Sequence, residues 1–349
     1  MSATPGELPG VSYVVPVLNE ESTIGLTVDS ILAQDYAGPR DIALVHGPSR
    51  DGTAAALARI VAAHPGIVVV DNPRGRTPVA MNLGFAATRH PIVIRVDGHA
   101  VLPQAYTSTL VHALDAHGAV NVGGVMSAQG GTTIQRVVAW AYNSRVGLGG
   151  GVHHRAGEPG PAETAYLGVF RREAVEAVGG FDEQMARAQD WELNSRLRKA
   201  GGLIWFEPSV EVVYYPRASF GALARQFWSS GRWRATLMRE DFAGSPLRYL
   251  APPALVLALL LSAAALMAAI VATGTWSVVL AVAGAVVPTI YALAVIGAAV
   301  TARGLSWRER VLVLAVLPVI HVWWGAGCLT GLFGKRAARA PRRQSTEAK

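Results

Sequence analysis

Short apolar runs alternate with segments of helical periodicity over the first two-thirds of the chain. Runs rich in β-branched residues lie at Val11–Val17, Ile42–Val45, Ile67–Val70 and Ile92–Val96. Each run is followed by polar residues or by Gly and Pro, which is typical of strands that end in loops. The alternation predicts an α/β domain over residues 11–217, with a mainly parallel, Rossmann-like sheet whose carboxyl strand ends share one edge.

Helix starts and a second strand group fit the same architecture. Thr77-Pro78 combines a capping residue with a proline at the first helical position, and Leu102-Pro103 opens another segment. Two further strands are predicted at Leu203–Phe206 and Val210–Tyr215.

A long loop interrupts the domain. The helical pattern breaks near Gly149, and a polar segment runs through His153 and His154 to Pro161. Loops of this length in compact domains are usually functional or mobile. The two histidines therefore either join a binding site when the loop closes or belong to a loop that is merely polar.

Three long apolar segments occupy the last third of the chain, at residues 250–273, 276–301 and 311–333. No Asp, Glu, Lys or Arg occurs from Tyr249 to Ala302. About 20 apolar residues suffice for one crossing of a bilayer, so the first two segments are predicted to be transmembrane helices. The third contains a proline, a histidine and two tryptophans, and it is either a transmembrane helix or a re-entrant or interfacial one.

Basic residues flank the apolar segments unequally. Arginines precede the first segment and follow the second: Arg234, Arg239, Arg248, Arg303, Arg308 and Arg310. Cytoplasmic membrane ends carry the excess of Lys and Arg, which predicts a multi-pass protein of the inner or plasma membrane with a cytoplasmic N-terminal domain. A basic, disordered tail is predicted at residues 335–349. Three crossings would place that tail outside, and this conflict leaves the role of the third segment open.

One amphipathic segment joins the domain to the apolar segments. Within residues 218–245, the stretch Phe220–Glu240 mixes aromatic residues with arginines at helical spacing. Such a helix is typical of the membrane interface. The alternative is a surface helix that packs its aromatic side chains on the domain.

Composition narrows the class of protein. The 349 residues are 51% hydrophobic and 16% charged, with a formal net charge of +7, which excludes disordered, collagen-like and purely cytosolic proteins. Cys328 is the only cysteine, so no disulfide forms within the chain. Residues 1–10 are polar, lack the features of a signal peptide and are predicted to be disordered. The positive charge lies beside membrane segments, which indicates anionic lipid and argues against a nucleic-acid partner.

Candidate chemistry lies at the end of a predicted strand. Asp97 and His99 stand two residues apart where the Ile92–Val96 strand ends. A carboxylate and an imidazole so placed can bind a divalent ion that carries a diphosphate. The same triplet also occurs in ordinary turns.

Further motifs follow one another in a distinctive order. They are Pro16–Glu20, Gly47–Thr53, Ala80–Gly84, Asp97–His99, Gly179–Asp182 and Gln189–Leu193. In this order the chain resembles the family 2 glycosyltransferases of GT-A fold over residues 10–240, with membrane segments appended. It is most similar to the branch that includes the succinoglycan-biosynthesis glucosyltransferases, which also carry sequences like Tyr214–Arg217 and Gly231–Arg234.

The resemblance implies a donor site and a cofactor. The residues that match the nucleoside-diphosphate-sugar site are Pro16, Asn19, Glu20, His46 and Asp97. Asp97 and His99 match the metal motif, which implies Mn²⁺ or Mg²⁺, and the imidazole favours Mn²⁺. Arg76, like Arg74, follows the third predicted strand, where a guanidinium can bind a diphosphate; otherwise both are surface arginines.

The resemblance also implies a base and an acceptor site. Asp190 matches the family's general base, which takes the proton of the acceptor hydroxyl. The predicted acceptor-binding residues are Asp182, Trp191, Arg232 and Trp233. For Asp182 the alternative is a solvated turn after two glycines.

Three departures from the family pattern bear on specificity. His46 stands where relatives usually carry an Asp that binds uracil, which leaves the choice of base open. Gln189 replaces an acid beside Asp190 and removes a like charge. The Gln-x-x-Arg-Trp motif of processive relatives is not reproduced, because Gln226 lies too far from Arg232, so single-sugar transfer is expected.

These inferences predict a membrane-anchored inverting glycosyltransferase. It would transfer one sugar from a nucleoside-diphosphate sugar, a UDP-hexose, to a lipid-linked (polyprenyl) saccharide in exopolysaccharide or cell-envelope glycan synthesis. The alternatives are transfer to polyprenyl phosphate itself and a non-catalytic membrane scaffold with a degenerate transferase domain.

Overall fold

The computed structural model describes residues 8–148, 157–185, 188–240 and 247–334. Most of the predicted disordered N-terminus, the loop histidines His153 and His154, and the predicted basic tail lie outside these residues. The described chain forms two compact units: residues up to Ser127 together with 157–214, and residues from Ala128 to 148 together with those from Tyr215 to 334.

Eight strands and twelve α-helices follow one another in the described residues. In chain order they are β1 (Val11–Val17), α1 (Ile24–Leu32), β2 (Arg40–His46), α2 (Thr53–Ala63), β3 (Ile67–Asp71), α3 (Thr77–Ala87), β4 (Ile92–Arg95), α4 (Tyr106–Ala116), β5 (Asn121–Ala128), α5 (Thr133–Tyr142), α6 (Arg145–Leu148), β6 (Gly160–Pro161), β7 (Tyr166–Arg171), α7 (Arg172–Ala177), α8 (Gln189–Lys199), β8 (Ile204–Tyr214), α9 (Phe220–Glu240), α10 (Ala251–Val271), α11 (Thr275–Thr301) and α12 (Trp307–Phe333). The α/β alternation predicted for the first part of the chain is confirmed.

The sheet of the first unit has the strand order β3-β2-β1-β4-β7-β5-β8-β6. β1 is parallel to both β2 and β4, and β2 is parallel to β3. β7 runs antiparallel to β4 and β5, and β6 runs antiparallel to β8. In this register Val17 at the end of β1 lies opposite His46 at the end of β2, so the two strands finish together.

Helices cover both faces of the central strands, which explains why β1 is apolar throughout. Tyr13 and Val15 enter the core cluster that also contains residues of α1 and α4. Val14 enters a second cluster, with Met81 of α3 and Leu193 of α8. A strand buried on both faces reads as a continuous apolar run instead of an alternating one.

The antiparallel half of the sheet differs from the sequence prediction. β5 and β7 were not predicted, because each contains glycines that weaken a strand pattern. Gly124 lets β5 approach the backbone of its neighbour, since a Cβ there would lie 2.2 Å from the carbonyl oxygen of Val210. Gly160–Pro161, predicted as part of the long loop, forms the short strand β6 instead.

The predicted break between Leu203–Phe206 and Val210–Tyr215 was wrong, because β8 is a single strand through Pro208. Beside that proline, the Ser209 N–H donates to the side chain of Glu207 at 3.2 Å. Proline is tolerated in a strand where no ladder hydrogen bond is required of it.

The second unit contains α5, α6 and the helices from α9 onward. Three of its helical segments are long and apolar enough to cross a membrane: Leu247–Val271, Thr275–Thr301 and Trp307–Phe333. The third begins four residues before the predicted apolar segment, because Ser306 and Glu309 form a reciprocal capping box at its start.

Within this unit α9 packs closely on α12 through glycines. A Cβ on Gly231 would lie 2.1 Å from the carbonyl oxygen of Trp324, and one on Gly327 would lie 2.2 Å from that of Trp228. Gly331 meets the backbone of Arg232 in the same way. Small residues let helix backbones approach in membrane proteins, so α9 is held against a helix of membrane-spanning length.

Polar contacts tie α5 and α6 to the same unit, although both fall inside the predicted domain of residues 11–217. Arg136 of α5 donates to Glu309 at 2.6 Å. His321 of α12 bonds the carbonyl oxygen of Val146 through Nε2 at 2.7 Å and the hydroxyl of Tyr291 through Nδ1 at 3.0 Å. These long-range pairs could not be read from the local pattern that set the predicted boundary.

Candidate active site

The site of the first unit lies where the strand order reverses. β1 stands between β2 and β4, so the chain runs outward to β3 and then returns to the opposite side of β1. A reversal of this kind opens a ligand crevice at the carboxyl edge of a sheet. Gly98, after β4, lies against the end of β1, since a Cβ there would be 3.1 Å from the carbonyl oxygen of Pro16. The two predicted donor segments therefore meet at this edge.

The turn after β1 is fastened to the turn after β2. Asn19 adopts a left-handed conformation, φ 57°, which asparagine tolerates. Its N–H donates to Ser49 Oγ at 3.0 Å, and its Oδ1 accepts from the N–H of Arg50 at 2.8 Å. The Glu20 N–H donates to Thr53 Oγ1 at 2.8 Å. The two predicted nucleoside-binding turns are thus held together by hydrogen bonds of the chain itself.

Glu20 contacts the predicted metal motif directly. One carboxylate oxygen lies 2.9 Å from Nδ1 of His99, and the other accepts from Thr23 Oγ1 at 2.7 Å. A carboxylate on one ring nitrogen is the arrangement that orients metal-binding histidines. Glu20, predicted as a donor-binding residue, is therefore placed where it orients His99.

Arg95, the last residue of β4, contacts the carboxylates of both Asp97 and the predicted base Asp190. Its Nε and Nη2 donate to Oδ1 of Asp97 at 3.0 and 2.8 Å, and its Nη1 donates to Oδ1 of Asp190. The arginine is only 8% exposed. Burial alone would lower the pKa of its guanidinium, but the charges of Asp190 and Asp97 outweigh that effect and hold the pKa above its ordinary value.

Asp190 reaches this point because it lies in the first turn of α8. The residue before the helix, Ala188, has a left-handed conformation with φ 60°, which sets the direction in which the helix leaves the loop. Gln189 beside it is buried and carries no charge, and Trp191 is partly exposed. The structure thus brings the predicted base and the first residue of the metal motif to one guanidinium.

A second link connects α3 with the predicted acceptor turn. The amide of Asn82 donates to the carbonyl oxygen of Phe181 and accepts from the N–H of the same residue, both at 2.9 Å. It also donates to Glu183 at 3.2 Å, and Arg74 forms an ion pair with that carboxylate. Arg74 is thus paired with an acid next to Asp182, and its contact with a diphosphate stays a prediction.

Asp182 stabilises its own turn. One of its carboxylate oxygens accepts from the N–H of Gln184 at 3.0 Å. This bond is the feature expected of a turn residue, and the acceptor-binding role remains a prediction.

The remaining predicted site residues are placed as follows. His46 ends β2, and its Nε2 is buried without a hydrogen-bond partner in the part of the chain that the structure describes. Arg76 is exposed and precedes α3. Arg232 and Trp233 lie on α9 in the second unit, the former exposed and the latter partly buried. Their binding roles stay predictions.

Two residues of the site were missed as functional candidates. Arg95 and Asn82 both lie inside motifs that were recognised, but their partners are distant in sequence. A signal for Arg95 was available, because it ends an otherwise apolar strand and a buried charge requires a partner. No comparable signal marks Asn82.

Comparison with known proteins decides the family. Residues 9–235 match the family described as Glycosyltransferase like family 2. The chain belongs to this family. The matched range contains the whole described sheet and both carboxylates held by Arg95.

Relatives of this glycosyltransferase include a protein named for succinoglycan biosynthesis and a transferase named for a dolichyl-linked sugar. It is 33% identical over 319 residues to the succinoglycan biosynthesis protein ExoA of Rhizobium meliloti strain 1021, covering 90% of this chain and 92% of that protein. It is 22% identical over 241 residues to a dolichyl N-acetyl-alpha-D-glucosaminyl phosphate 3-beta-D-2,3-diacetamido-2,3-dideoxy-beta-D-glucuronosyltransferase of Methanococcus voltae, covering 66% of this chain and 75% of that protein.

One solved structure extends the similarity to the fold. The mannosyltransferase PcManGT from Pyrobaculum calidifontis, solved in complex with GDP-Man and Mn²⁺, superposes with a TM-score of 0.64. The sequences are 22% identical, and the alignment covers 95% of this chain and 89% of that one. The predicted GT-A fold with appended apolar helices is confirmed. The chain is therefore described as a glycosyltransferase, and the alternative prediction of a non-catalytic membrane scaffold is not retained.

The residues of the glycosyltransferase fit a divalent ion that arrives with a diphosphate. Among the described residues no three His, Cys, Asp or Glu side chains are grouped to hold a metal by themselves. Ions such as Mg²⁺ are commonly bound by one or two carboxylates together with substrate phosphates. Asp97 and His99, the latter oriented by Glu20, supply a donor set of that kind.

Proposed function

We propose that this glycosyltransferase transfers one hexose, with inversion, from a UDP-hexose to a lipid-linked polyprenyl saccharide in exopolysaccharide or cell-envelope glycan synthesis. The observation that carries the proposal is the contact of Arg95 with both Asp97 and Asp190. This contact supports the proposal, because it brings the proposed metal-binding carboxylate and the proposed base to one guanidinium.

The proposed reaction is a single displacement. Asp190 accepts the proton of the acceptor hydroxyl while that oxygen forms a bond to the anomeric carbon. The bond from that carbon to the diphosphate oxygen breaks, and the nucleoside diphosphate leaves with the electron pair. One displacement inverts the anomeric configuration. A divalent ion held by Asp97 and His99 would neutralise charge on the leaving diphosphate.

The donor site is proposed to lie at the crevice beside the end of β1 and to include Pro16, Asn19, Glu20, His46, Arg76 and Asp97. The fastened turns after β1 and β2 support this assignment, because preordered loops lower the entropy lost on binding. We assign UDP from the family resemblance. The GDP-Man and Mn²⁺ in the PcManGT structure belong to that protein.

The acceptor is proposed to reach the site from the membrane. The three helices of membrane-spanning length support an acceptor that resides in the bilayer, and the named activity of the Methanococcus voltae relative supports a lipid-linked saccharide. Asp182, Trp191, Arg232 and Trp233 are the proposed acceptor-binding residues. The arginines before α10 and after α11 support a multi-pass protein of the inner or plasma membrane with its catalytic domain in the cytoplasm.

Transfer to polyprenyl phosphate is the second candidate. The three helices of membrane-spanning length are equally compatible with an acceptor lipid that carries only a phosphate. A phosphate nucleophile would need no base to remove a proton. The two candidates predict different consequences of removing the Asp190 carboxylate.

Asp190→Asn tests both. The substrate mixture contains UDP-[¹⁴C]glucose and either a chloroform–methanol extract of bacterial lipid-linked saccharides or pure undecaprenyl phosphate. The proposal predicts transfer to the saccharide extract, reduced by about 10²- to 10⁴-fold in Asp190→Asn, the range typical of a lost general base. Asp115→Asn, an exposed carboxylate of α4 paired with Arg171, is the matched control and should retain full activity. Undiminished transfer to undecaprenyl phosphate by Asp190→Asn would favour the second candidate.

A further inference from the structure

We infer that Arg95 is a positioning residue, which holds the acceptor-side carboxylate Asp190 in a fixed geometry relative to the donor-side carboxylate Asp97. The inference rests on the proposed function, because it takes the two carboxylates to act in the same reaction. It adds a residue that acts through the two carboxylates it contacts.

The contacts of Arg95 lock its guanidinium. Two of its nitrogens meet one oxygen of Asp97, and the third meets Asp190. A planar guanidinium with these three bonds has a fixed orientation, so it fixes the position of one carboxylate relative to the other. Asp97 follows β4, and Asp190 lies in the first turn of α8. The two elements are far apart in sequence, so noncovalent contacts set the distance between the two carboxylates.

Within the described residues Arg95 is the only side chain that donates hydrogen bonds to the carboxylate of Asp97 or of Asp190. The nearby phenol of Tyr106 is committed elsewhere, because its hydroxyl donates to the carbonyl oxygen of Leu167. Loss of Arg95 would therefore remove every side-chain hydrogen bond that these two carboxylates accept within the described residues. Two carboxylates that share a guanidinium would then repel each other.

The chemistry of the side chain makes the role specific to arginine. A lysine at position 95 would keep the positive charge at the end of β4, but an ammonium is a point charge on a flexible stem and lacks the fork. It could satisfy one carboxylate without fixing the other. Arg95→Lys therefore separates the charge of the residue from its geometry.

Arg196 offers a matched control. It lies on α8, the same helix as Asp190, and its side chain is 15% exposed. It forms an ion pair with Glu192 and donates to the carbonyl oxygen of Val178 at 2.6 Å. Arg196→Lys thus disturbs a buried arginine–carboxylate pair of the same helix without touching Asp97 or Asp190.

The experiment is a double-mutant cycle on the full-length protein in detergent. Transfer from UDP-[¹⁴C]glucose to the lipid-linked saccharide extract is measured for Arg95→Lys, Asp190→Asn, the double variant and Arg196→Lys. We expect Arg95→Lys to lower kcat by about 10- to 100-fold and to change the donor KM by less than about threefold, as for a displaced catalytic group. Arg196→Lys should leave kcat within about threefold of the parent protein.

The decisive comparison is the effect of Arg95→Lys in the absence of the base. If Arg95 acts through Asp190, Arg95→Lys should lower kcat by less than about threefold in the Asp190→Asn background. Equal losses in both backgrounds would overturn the inference, and so would a kcat of Arg95→Lys within threefold of the parent protein. If Asp190→Asn itself keeps the parent activity, the proposed function fails, and that outcome is separate from a cycle that shows no coupling.

Discussion

Single polar side chains fix the loops around the crevice. Asn82 satisfies both backbone groups of Phe181, and Gly180 before it has φ 71°, with a Cβ there falling 2.9 Å from the Asn82 amide oxygen. The turn that leads toward Asp190 is therefore shaped by a side chain from α3.

Asn82→Ala should lower the free energy of unfolding by about 1–3 kcal/mol, because it leaves the N–H and the carbonyl oxygen of Phe181 without their partner. Chemical denaturation followed by tryptophan fluorescence measures the change. Ser108→Ala is the control: its hydroxyl bonds the carbonyl oxygen of Ala105 on an exposed part of the chain, so an effect below about 0.5 kcal/mol is expected. Equal stabilities of the two variants would contradict the role given to Asn82.

Buried phenols make the domain sensitive to alkali. Burial raises the pKa of Tyr13 to about 12, although its hydrogen bond with Thr107 acts in the opposite direction. The folded state thus keeps this proton where the unfolded chain, with a pKa near 10, loses it. Stability is unaffected below about pH 10 and falls as the pH rises toward 12.

A titration of absorbance at 295 nm and thermal melts between pH 8 and pH 12 test this behaviour in parallel. The loss of unfolding free energy that Tyr13 contributes over this pH range is about 2–3 kcal/mol, as expected when its pKa differs by about 2 between the folded and unfolded states. Tyr13→Phe should show a smaller loss of melting temperature over this pH range than the parent protein. An identical slope in both proteins would show that Tyr13 titrates as an ordinary phenol.

At the scale of single residues, the sequence predicted which side chains belong to the candidate site better than it predicted which of them contact each other. Asp97 and Asp190 were selected because each stands in a recognisable motif. The guanidinium that joins them was not, because the hydrogen bond from Arg95 to Asp190 crosses 95 positions of the chain. The contact of Glu20 with His99 was not predicted either, because it depends on how the ends of β1 and β4 meet. The donor-binding role of Glu20 stays a prediction.

Elements with a strong, long pattern were predictable, and elements that depend on close backbone contact were not. α9 has the predicted bounds, Phe220–Glu240, and β1 has the predicted bounds, Val11–Val17. β5 and β7 escaped prediction because glycines reduce their apolar signal, while Gly123 and Gly124 of β5 let this strand meet the backbones of its neighbours. Long-range packing, not local propensity, decides such segments.

The contact between α9 and α12 supports a prediction at this scale. Gly327→Ala should destabilise the second unit by about 1–3 kcal/mol, because the added methyl group would meet the backbone of Trp228. Gly297→Ala, on α11, is the control: nothing lies within 4 Å of its Cβ position, and alanine favours a helix. Thermal unfolding in detergent should show a lower midpoint for Gly327→Ala alone. A lower midpoint for both variants would contradict the packing described.

The whole molecule combines a GT-A unit with a helical unit that takes in α5 and α6 from the middle of the chain. The sequence predicted both kinds of architecture, since apolar runs and α/β alternation are local signals. The sequence placed the end of the first domain at residue 217 and did not separate α5 and α6 from it. The ion pair between Arg136 of α5 and Glu309 of α12 cannot be inferred from either residue alone.

Membrane topology is a prediction at the scale of the whole molecule. Three crossings would place the N-terminal domain and Lys349 on opposite sides of the membrane. Green fluorescent protein fused before Met1 should fluoresce in a bacterial host, and alkaline phosphatase fused after Lys349 should be active. Fluorescence from a reporter fused after Lys349 would show that α12 does not complete a crossing, although its length of 27 residues allows one.

The central claim is that Asp97 belongs to a metal-dependent site for a nucleoside diphosphate. Isothermal calorimetry of the detergent-solubilised protein with UDP and with GDP, each with and without Mn²⁺, tests it most directly. The account predicts that UDP binds in the presence of Mn²⁺, and that Asp97→Ala abolishes this binding while its thermal unfolding shows a folded protein. Absence of binding to either nucleotide under all conditions, or equal binding by Asp97→Ala, would contradict it.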